Sequence, residues 1–182
     1  MVYSFSHGGT AARTKELMDT TDDTASQGPD ISLVIPLFNE EENVRLVYEA
    51  VDETLKTLGL SAEIILVNDG STDATGEFMD VIADEDERVV PLHFRGNFGQ
   101  TAAMQAGIEH ARGNVIIPLD GDMQNDPKDI PRLLEKLEEG YDVVSGWRKE
   151  RKDKTLTRKI PSAAANWLIS IVSGVHLHDY GC

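Results

Sequence analysis

Two carboxylates one residue apart, Asp120 and Asp122, follow directly on the apolar run from Val115 to Leu119, with Gly121 between them. Oxygen ligands of this kind suit a hard divalent cation, Mg²⁺ or Mn²⁺, whose remaining positions are often filled by substrate phosphates. Such a cation would offset charge building on a departing diphosphate. Gly121 lets backbone approach a ligand closely, and Gln124 could add a side-chain oxygen to the cluster. The alternative is an ordinary Asp/Gly turn before a helix cap, and for an isolated pair of this spacing that alternative is the better one. The position after a strand, with Asp69 at another strand end, favours the cation.

Three further strings bear on chemistry. In Val67-Asn68-Asp69-Gly70-Ser71-Thr72-Asp73, Asp69 could accept from a ribose hydroxyl or a base N–H, while Ser71 or Thr72 could cap the next helix. In Pro36-Leu37-Phe38-Asn39-Glu40, Phe38 could stack on a base and Glu40 could accept from base or ribose. Taken alone, this string reads better as a helix start with an acidic first turn. Between Arg148 and Lys159, seven Lys/Arg (148, 149, 151, 152, 154, 158 and 159) face only Glu150 and Asp153. Flexible cations suit a phosphate substrate or an anionic membrane surface, where each contributes about 1 kcal/mol. The competing reading is a solvated loop.

The elements that must position these residues are legible from period and punctuation. The first 29 residues carry Gly, Ser, Thr and Asp with no apolar period and read as a disordered tail. Apolar runs predict strands at 31–35, 63–67, 89–94, 115–119 and 141–145. Between them, helices are predicted from a cap at Asn39, with Glu42 as capping-box partner, through the helically spaced Val44, Val47, Val51, Leu55 and Leu58 to a stop at Gly59. Further helices are expected at 73–83, at 100–111 with a stop at Gly113, and from Pro127 to about Glu138, capped by Asp126 and stopped by Gly140. Strands alternating with helices imply an α/β domain with a mainly parallel sheet. Ligands in such folds bind beyond the carboxyl ends of the strands. The segments 36–40, 68–73, 95–100 and 120–126 should therefore converge on one crevice.

Bulk properties bound the partners. The 182 residues suit one domain. A formal net charge of -15 argues against general nucleic-acid binding. The one cysteine, Cys182, cannot form an internal disulfide, which fits a reducing compartment. No apolar run reaches the length of a spanning helix, and the N-terminus lacks the pattern of a signal peptide. A cytoplasmic location is expected. The apolar stretch 163–175, with Trp167, Leu168, Ile169, Ile171 and Val172, is suited either to lying in a membrane interface or to packing in a core.

The order of these strings resembles family 2 glycosyltransferases of the GT-A fold. Within them it is similar to the polyprenyl-phosphate branch that includes dolichol-phosphate mannose synthase and bacterial undecaprenyl-phosphate glycosyltransferases. The resemblance runs from about Ile31 to Cys182 and rests on the strings at 34–40, 67–73, 95–100, 120–124, 146–148 and 178–182. It implies a Rossmann-like GT-A catalytic domain over 30–147. It also implies a basic acceptor loop and an amphipathic interface helix over 148–182, ending before any transmembrane region. Pro36, Phe38, Glu40, Val67 and Asp69 would hold the nucleoside. Asp120, Gly121 and Asp122 would face the diphosphate, with Asp122 and Gln124 on a Mg²⁺ or Mn²⁺ ion. Arg148 would bind a phosphate of donor or acceptor. The basic residues Arg151, Lys152, Lys154 and Arg158 would join it on the acceptor.

The activity so implied is inverting transfer of a sugar from a nucleoside diphosphate to a polyprenyl phosphate, peripheral to the cytoplasmic face of a membrane. The string 123–127 is closer to the undecaprenyl-phosphate enzymes and favours a UDP-sugar donor. A homo-oligomer is compatible with the sequence, and no nucleic-acid partner is expected. Two departures stand out: Gly121 replaces the family's usual Ala, and Phe38 stands where Tyr is common. Many bacterial members continue into transmembrane hairpins after the motif that begins at His178, and the chain stops inside that motif. The rival readings are a nucleotidyltransferase, which would carry a Gly-rich basic loop after the first strand, a non-catalytic nucleotide-binding or membrane-recruitment fragment, and a family member acting on a polysaccharide or protein.

Overall fold

The residues from Ile31 to Leu37 are buried without exception, as expected of a central strand covered on both faces. In the computed structural model, the described residues are 2–4, by backbone, and 28–146. They give strands β1 (Val2–Ser4), β2 (Ile31–Leu37), β3 (Ala62–Asn68), β4 (Val89–His93), β5 (Val115–Pro118) and β6 (Val143–Val144). The helices are α1 (Val44–Leu58), α2 (Thr75–Glu85), α3 (Gln100–His110) and α4 (Ile130–Glu138), the last entered through a 3₁₀ turn at Pro127–Asp129. The described residues up to Val144 belong to one compact unit.

The sheet order is β4-β3-β2-β5-β1-β6. The pairs β2–β3, β3–β4 and β2–β5 are parallel, and β1 runs antiparallel to both β5 and β6. The expected mainly parallel sheet is therefore present. Chain order moves outward from β2 to β3 and β4, then crosses back to β5 on the other side of β2. The switch point lies between the carboxyl ends of β2 and β5, where open α/β sheets hold their ligands.

Alternation along the strands sorts the core into two layers. Leu33, Ile35 and Leu37 pack with Val44, Val47, Val51 and Leu55 of α1, Met79 and Ile82 of α2, and Ile130 and Leu137 of α4. Val34, Ile65, Val67 and Ile116 face the opposite way, against Ala103 and the partly buried Met104 and Ile108 of α3. The spacing that predicted α1 is thus its buried stripe, and Gly59 ends it with φ 66° and its N–H donating to Leu55 O.

Three details differ from the sequence reading. Residues 1–29 were expected to be a disordered tail, yet Val2–Ser4 forms β1, filling the slot between β5 and β6 that would otherwise leave two strand edges unpaired; residues 5–27 lie outside the described residues. Asn39 is not the cap of α1. It adopts φ 53°, and its Oδ1 accepts from Thr72 N at 2.8 Å, while the cap position belongs to Asn43. Neither Ser71 nor Thr72 caps α2, whose cap position is Ala74. Instead, Asp73 Oδ1 accepts from Thr75 N at 3.0 Å. At Asp126 the expected cap is present, accepting from Lys128 N at 3.0 Å ahead of Pro127.

Two carboxylates away from the cleft, the buried Glu63 and the partly buried Asp86, are held by arginines. Glu63 accepts from Ser32 Oγ at 2.6 Å and from Arg112 through its backbone N and guanidinium. Burial pushes its carboxyl up, but these donors together hold it below its ordinary value. Asp86 accepts from Arg88 and from Tyr48, and the Arg88 hydrogen bond, against burial, brings its carboxyl down to about 2. A carboxyl lowered in the folded state contributes stability that is complete above its unfolded value and lost as pH falls through its folded one. For Asp86 that window runs from about pH 4 to about pH 2, and solvent screening leaves an effect of about 1 kcal/mol. The urea midpoints of wild type and Asp86→Asn should accordingly converge as pH falls from 5 toward 2. A gap independent of pH would mean that the Arg88 pair contributes nothing through charge.

Candidate functional site

The loops leaving β2, β3, β4 and β5 are held side by side by backbone hydrogen bonds that continue the ladders: Asp69 N to Leu37 O, Phe94 N to Asn68 O and Leu119 N to Val34 O. They enclose a cleft of about 340 Å³ lined by residues of all four loops, including Pro36, Phe38, Glu40, Asp69, Asn97, Gly99, Gln100 and Asp120–Asp122. The four segments expected to converge do so.

Asp69 forms the joint between two of the loops. The residue is 3% exposed, and its two carboxylate oxygens accept from Phe98 N at 2.8 Å and Gly99 N at 2.9 Å. Beside it, Gly70 (φ 68°) lies against the backbone of Gly96 and Asn97, where a Cβ would overlap the Gly96 carbonyl carbon. This fixes the loop that opens α3. On the opposite wall, Asp120 accepts from Gln100 Nε2 at 2.8 Å and from Asn125 Nδ2 at 3.0 Å, one donor to each oxygen. Asp122 is exposed and accepts from Gln124 N at 3.1 Å within its own turn. Met123 follows at φ 58°, a left-handed conformation that costs a non-glycine residue about 1 kcal/mol. Gly121 is buried, and a Cβ there would overlap Leu37 Cδ2 and lie 3.1 Å from Pro36 O. Leu37 fills the volume that a side chain at position 121 would take.

The structure thus places Pro36, Phe38, Glu40, Asp69, Asp120, Gly121 and Asp122 on one cleft. Phe38 is 44% exposed, with ring surface open to stacking. Glu40 accepts from Asn43 Nδ2 at 2.6 Å and donates its backbone N–H to Thr75 Oγ1. Two expected residues are not among those lining the cleft. The Val67 side chain is fully buried with Val34 and Ile65 in the layer under α3, because its position on β3 points it away from the strand ends. Gln124 is exposed and meets Asp122 through its backbone N. Arg148, Arg151, Lys152, Lys154 and Arg158, and the stretch 163–175, lie outside the described residues. The sequence reading assigned no role to Asn97, Gly99, Gln100 or Asn125. The string 95–100 was legible as a converging segment, but nothing in it announces which side chain turns toward Asp120.

Residues 32–176 match the model of Glycosyl transferase family 2. A dodecaprenyl-phosphate galacturonate synthase of Rhizobium johnstonii is 49% identical over 158 residues, covering 86% of this chain and 47% of the relative. An undecaprenyl-phosphate 4-deoxy-4-formamido-L-arabinose transferase of Pseudomonas paraeruginosa is 41% identical over 153 residues, covering 84% and 45%. The chain spans about half the length of the curated relatives it matches. Among solved structures, glucosyl-3-phosphoglycerate synthase from Mycobacterium tuberculosis, in complex with Mn²⁺, uridine diphosphate and phosphoglyceric acid, aligns with a TM-score of 0.60 at 18% identity. That alignment covers 94% of this chain and 57% of the other, and it shows the GT-A fold.

Proposed function

The chain belongs to glycosyl transferase family 2, and on that premise we propose that it is the catalytic domain of an inverting, metal-dependent enzyme that moves a sugar from a nucleoside diphosphate, UDP by preference, to a polyprenyl phosphate at the cytoplasmic face of a membrane. The observation that carries this reading is the charge of the cleft. Its four titratable lining residues, Glu40, Asp69, Asp120 and Asp122, are all acidic, and no Lys, Arg or His lines it among the described residues. A diphosphate brought into that field is repelled unless a cation stands between. The donor set fits Mg²⁺ or Mn²⁺. Among the described residues no cluster of three or more His, Cys, Asp or Glu is placed to hold a metal, and such ions are commonly held by one or two carboxylates completed by substrate phosphates and water. Asp122, with Gln124 beside it, would hold the ion, and the ion would supply charge stabilisation for the leaving diphosphate.

The protein's own groups then bind and align. Pro36, Phe38, Glu40 and Asp69 hold the nucleoside at the ends of β2 and β3, and Asp120 and Gly121 lie against the diphosphate. The names of the relatives support a polyprenyl phosphate as acceptor. Its phosphate monoester, with a second pKa of about 6 by analogy with phosphoserine, is largely dianionic at neutral pH and needs little help from a general base. We assign its recognition to Arg148, Arg151, Lys152, Lys154 and Arg158. Alignment of a phosphate oxygen behind the anomeric carbon gives in-line displacement and hence inversion. Among the described residues no helix is long and apolar enough to cross a membrane.

The test is thermal melting with UDP, GDP or ADP, each with Mn²⁺ or with EDTA. UDP with Mn²⁺ should stabilise most, by about 2.7 kcal/mol at a hundred-fold excess over Kd, and UDP in EDTA should not stabilise at all. Equal stabilisation in EDTA would remove the bridging cation, and a larger effect of GDP would change the donor. Release of labelled sugar from UDP onto a short polyprenyl phosphate then tests the acceptor.

A further inference from the structure

We propose that Gln100 is a positioning residue, which fixes the Asp120 carboxylate from the first position of α3 and so reserves the cation for Asp122. The inference rests on the function proposed above and concerns how the two aspartates divide their work. Gln100 Nε2 donates to Asp120 Oδ1 at 2.8 Å, and Asn125 Nδ2 donates to Oδ2 at 3.0 Å. Donors on both oxygens stop rotation of the carboxylate about its last bond. Each oxygen retains acceptor capacity, because an ionised carboxylate offers about four sites.

Both donors are neutral amides. They orient the carboxylate without cancelling its charge, as Lys or Arg would. Asp122 has a different setting: its bond from Gln124 N, at 3.1 Å, lies within its own turn, and the side chain is exposed. One aspartate is thus locked and the other can adjust to an ion. The position of Gln100 is itself enforced. It follows Gly99, whose N–H, with that of Phe98, is held by the buried Asp69. The β3 loop therefore reaches the β5 loop through Asp69, the 98–99 backbone and Gln100, and the two halves of the cleft are tied across the switch point.

A double-mutant cycle on the affinity for UDP with Mn²⁺ tests this, with melting of the ligand-free protein as a measure of fold. Gln100 is exposed, so Gln100→Met should melt like wild type. It should bind about ten-fold more weakly, the usual effect of losing a hydrogen bond to a charged group. In an Asp120→Ala background the same change should cost nothing further, because the group it acts through is gone. Gln100→Glu is the second variant. It places an acid at the N-terminus of α3, whose first turn holds none, which favours the helix. In the melt this gain opposes the repulsion between the new carboxylate and Asp120, but the variant should bind more weakly than Gln100→Met, because two carboxylates then face each other. A full ten-fold loss persisting in the Asp120→Ala background, or wild-type affinity in Gln100→Glu, would overturn the positioning role and leave the proposed function standing. Absence of any UDP–Mn²⁺ binding by the wild-type protein would overturn both.

Discussion

Alanine at position 122 is expected to lower sugar transfer about a thousand-fold or more, the scale set by losing one well-placed electrostatic contact to the leaving group, while leaving the fold intact. The two halves of that expectation come from different features. The effect on transfer follows from the acidic cleft: with four acids lining it, removing the carboxylate assigned to the ion leaves the diphosphate facing residual negative charge without its bridge. The effect on stability is small because Asp122 is exposed and its bond from Gln124 N lies within a local turn, a contact of about 1 kcal/mol.

Asp126, four residues later, supplies the control. It lies outside the cleft lining and accepts from Lys128 N as the cap of the turn into α4. Asp126→Ala should cost about 1 kcal/mol of stability and leave transfer unchanged. Measuring kcat/KM and the urea midpoint for both variants separates the roles. An Asp122→Ala protein that still bound UDP in a Mn²⁺-dependent way would remove the metal assignment.

What the sequence disclosed, and what it withheld, follows from the range of the interactions. Period and punctuation are local, so the stripe of α1, the stop at Gly59 and the cap at Asp126 were all readable. Convergence of the four loops followed from strand–helix alternation, because a parallel sheet sends every strand end to one edge. Contacts between segments far apart in the chain were not readable. Asn39 sits in a string that looks like a helix cap, but its side chain is taken by Thr72 N, 33 residues away. Val67 belongs to a family string, yet the pleat of β3 turns it into the core. Gln100 looks like any residue opening a helix until β5 delivers Asp120 to it. The short strand β1 was hidden because three residues carry too little period to stand out from a polar tail.

Gly70→Ala should cost about 4–7 kcal/mol of stability and about a hundred-fold in affinity for UDP with Mn²⁺, an expectation built from two terms. A left-handed φ of 68° accounts for about 1 kcal/mol. The rest is steric: the added Cβ would overlap the Gly96 carbonyl carbon and lie 2.7 Å from Asn97 N, and backbone cannot rotate aside as a side chain can. The 96–99 loop must shift, which strips Phe98 N and Gly99 N from the buried Asp69 carboxylate, bonds to a charged group being worth about 1.5–3 kcal/mol each. Gly59 isolates the first term. Its φ of 66° is nearly the same, but a Cβ there would meet nothing within 4 Å, so Gly59→Ala should cost only about 1 kcal/mol and leave nucleotide binding alone. Paired urea midpoints and binding isotherms decide the matter. Equal losses in the two variants would mean that the loop does not rest on Gly70, and a Gly70→Ala protein of lowered stability but full affinity would show that the cleft does not depend on that loop's position.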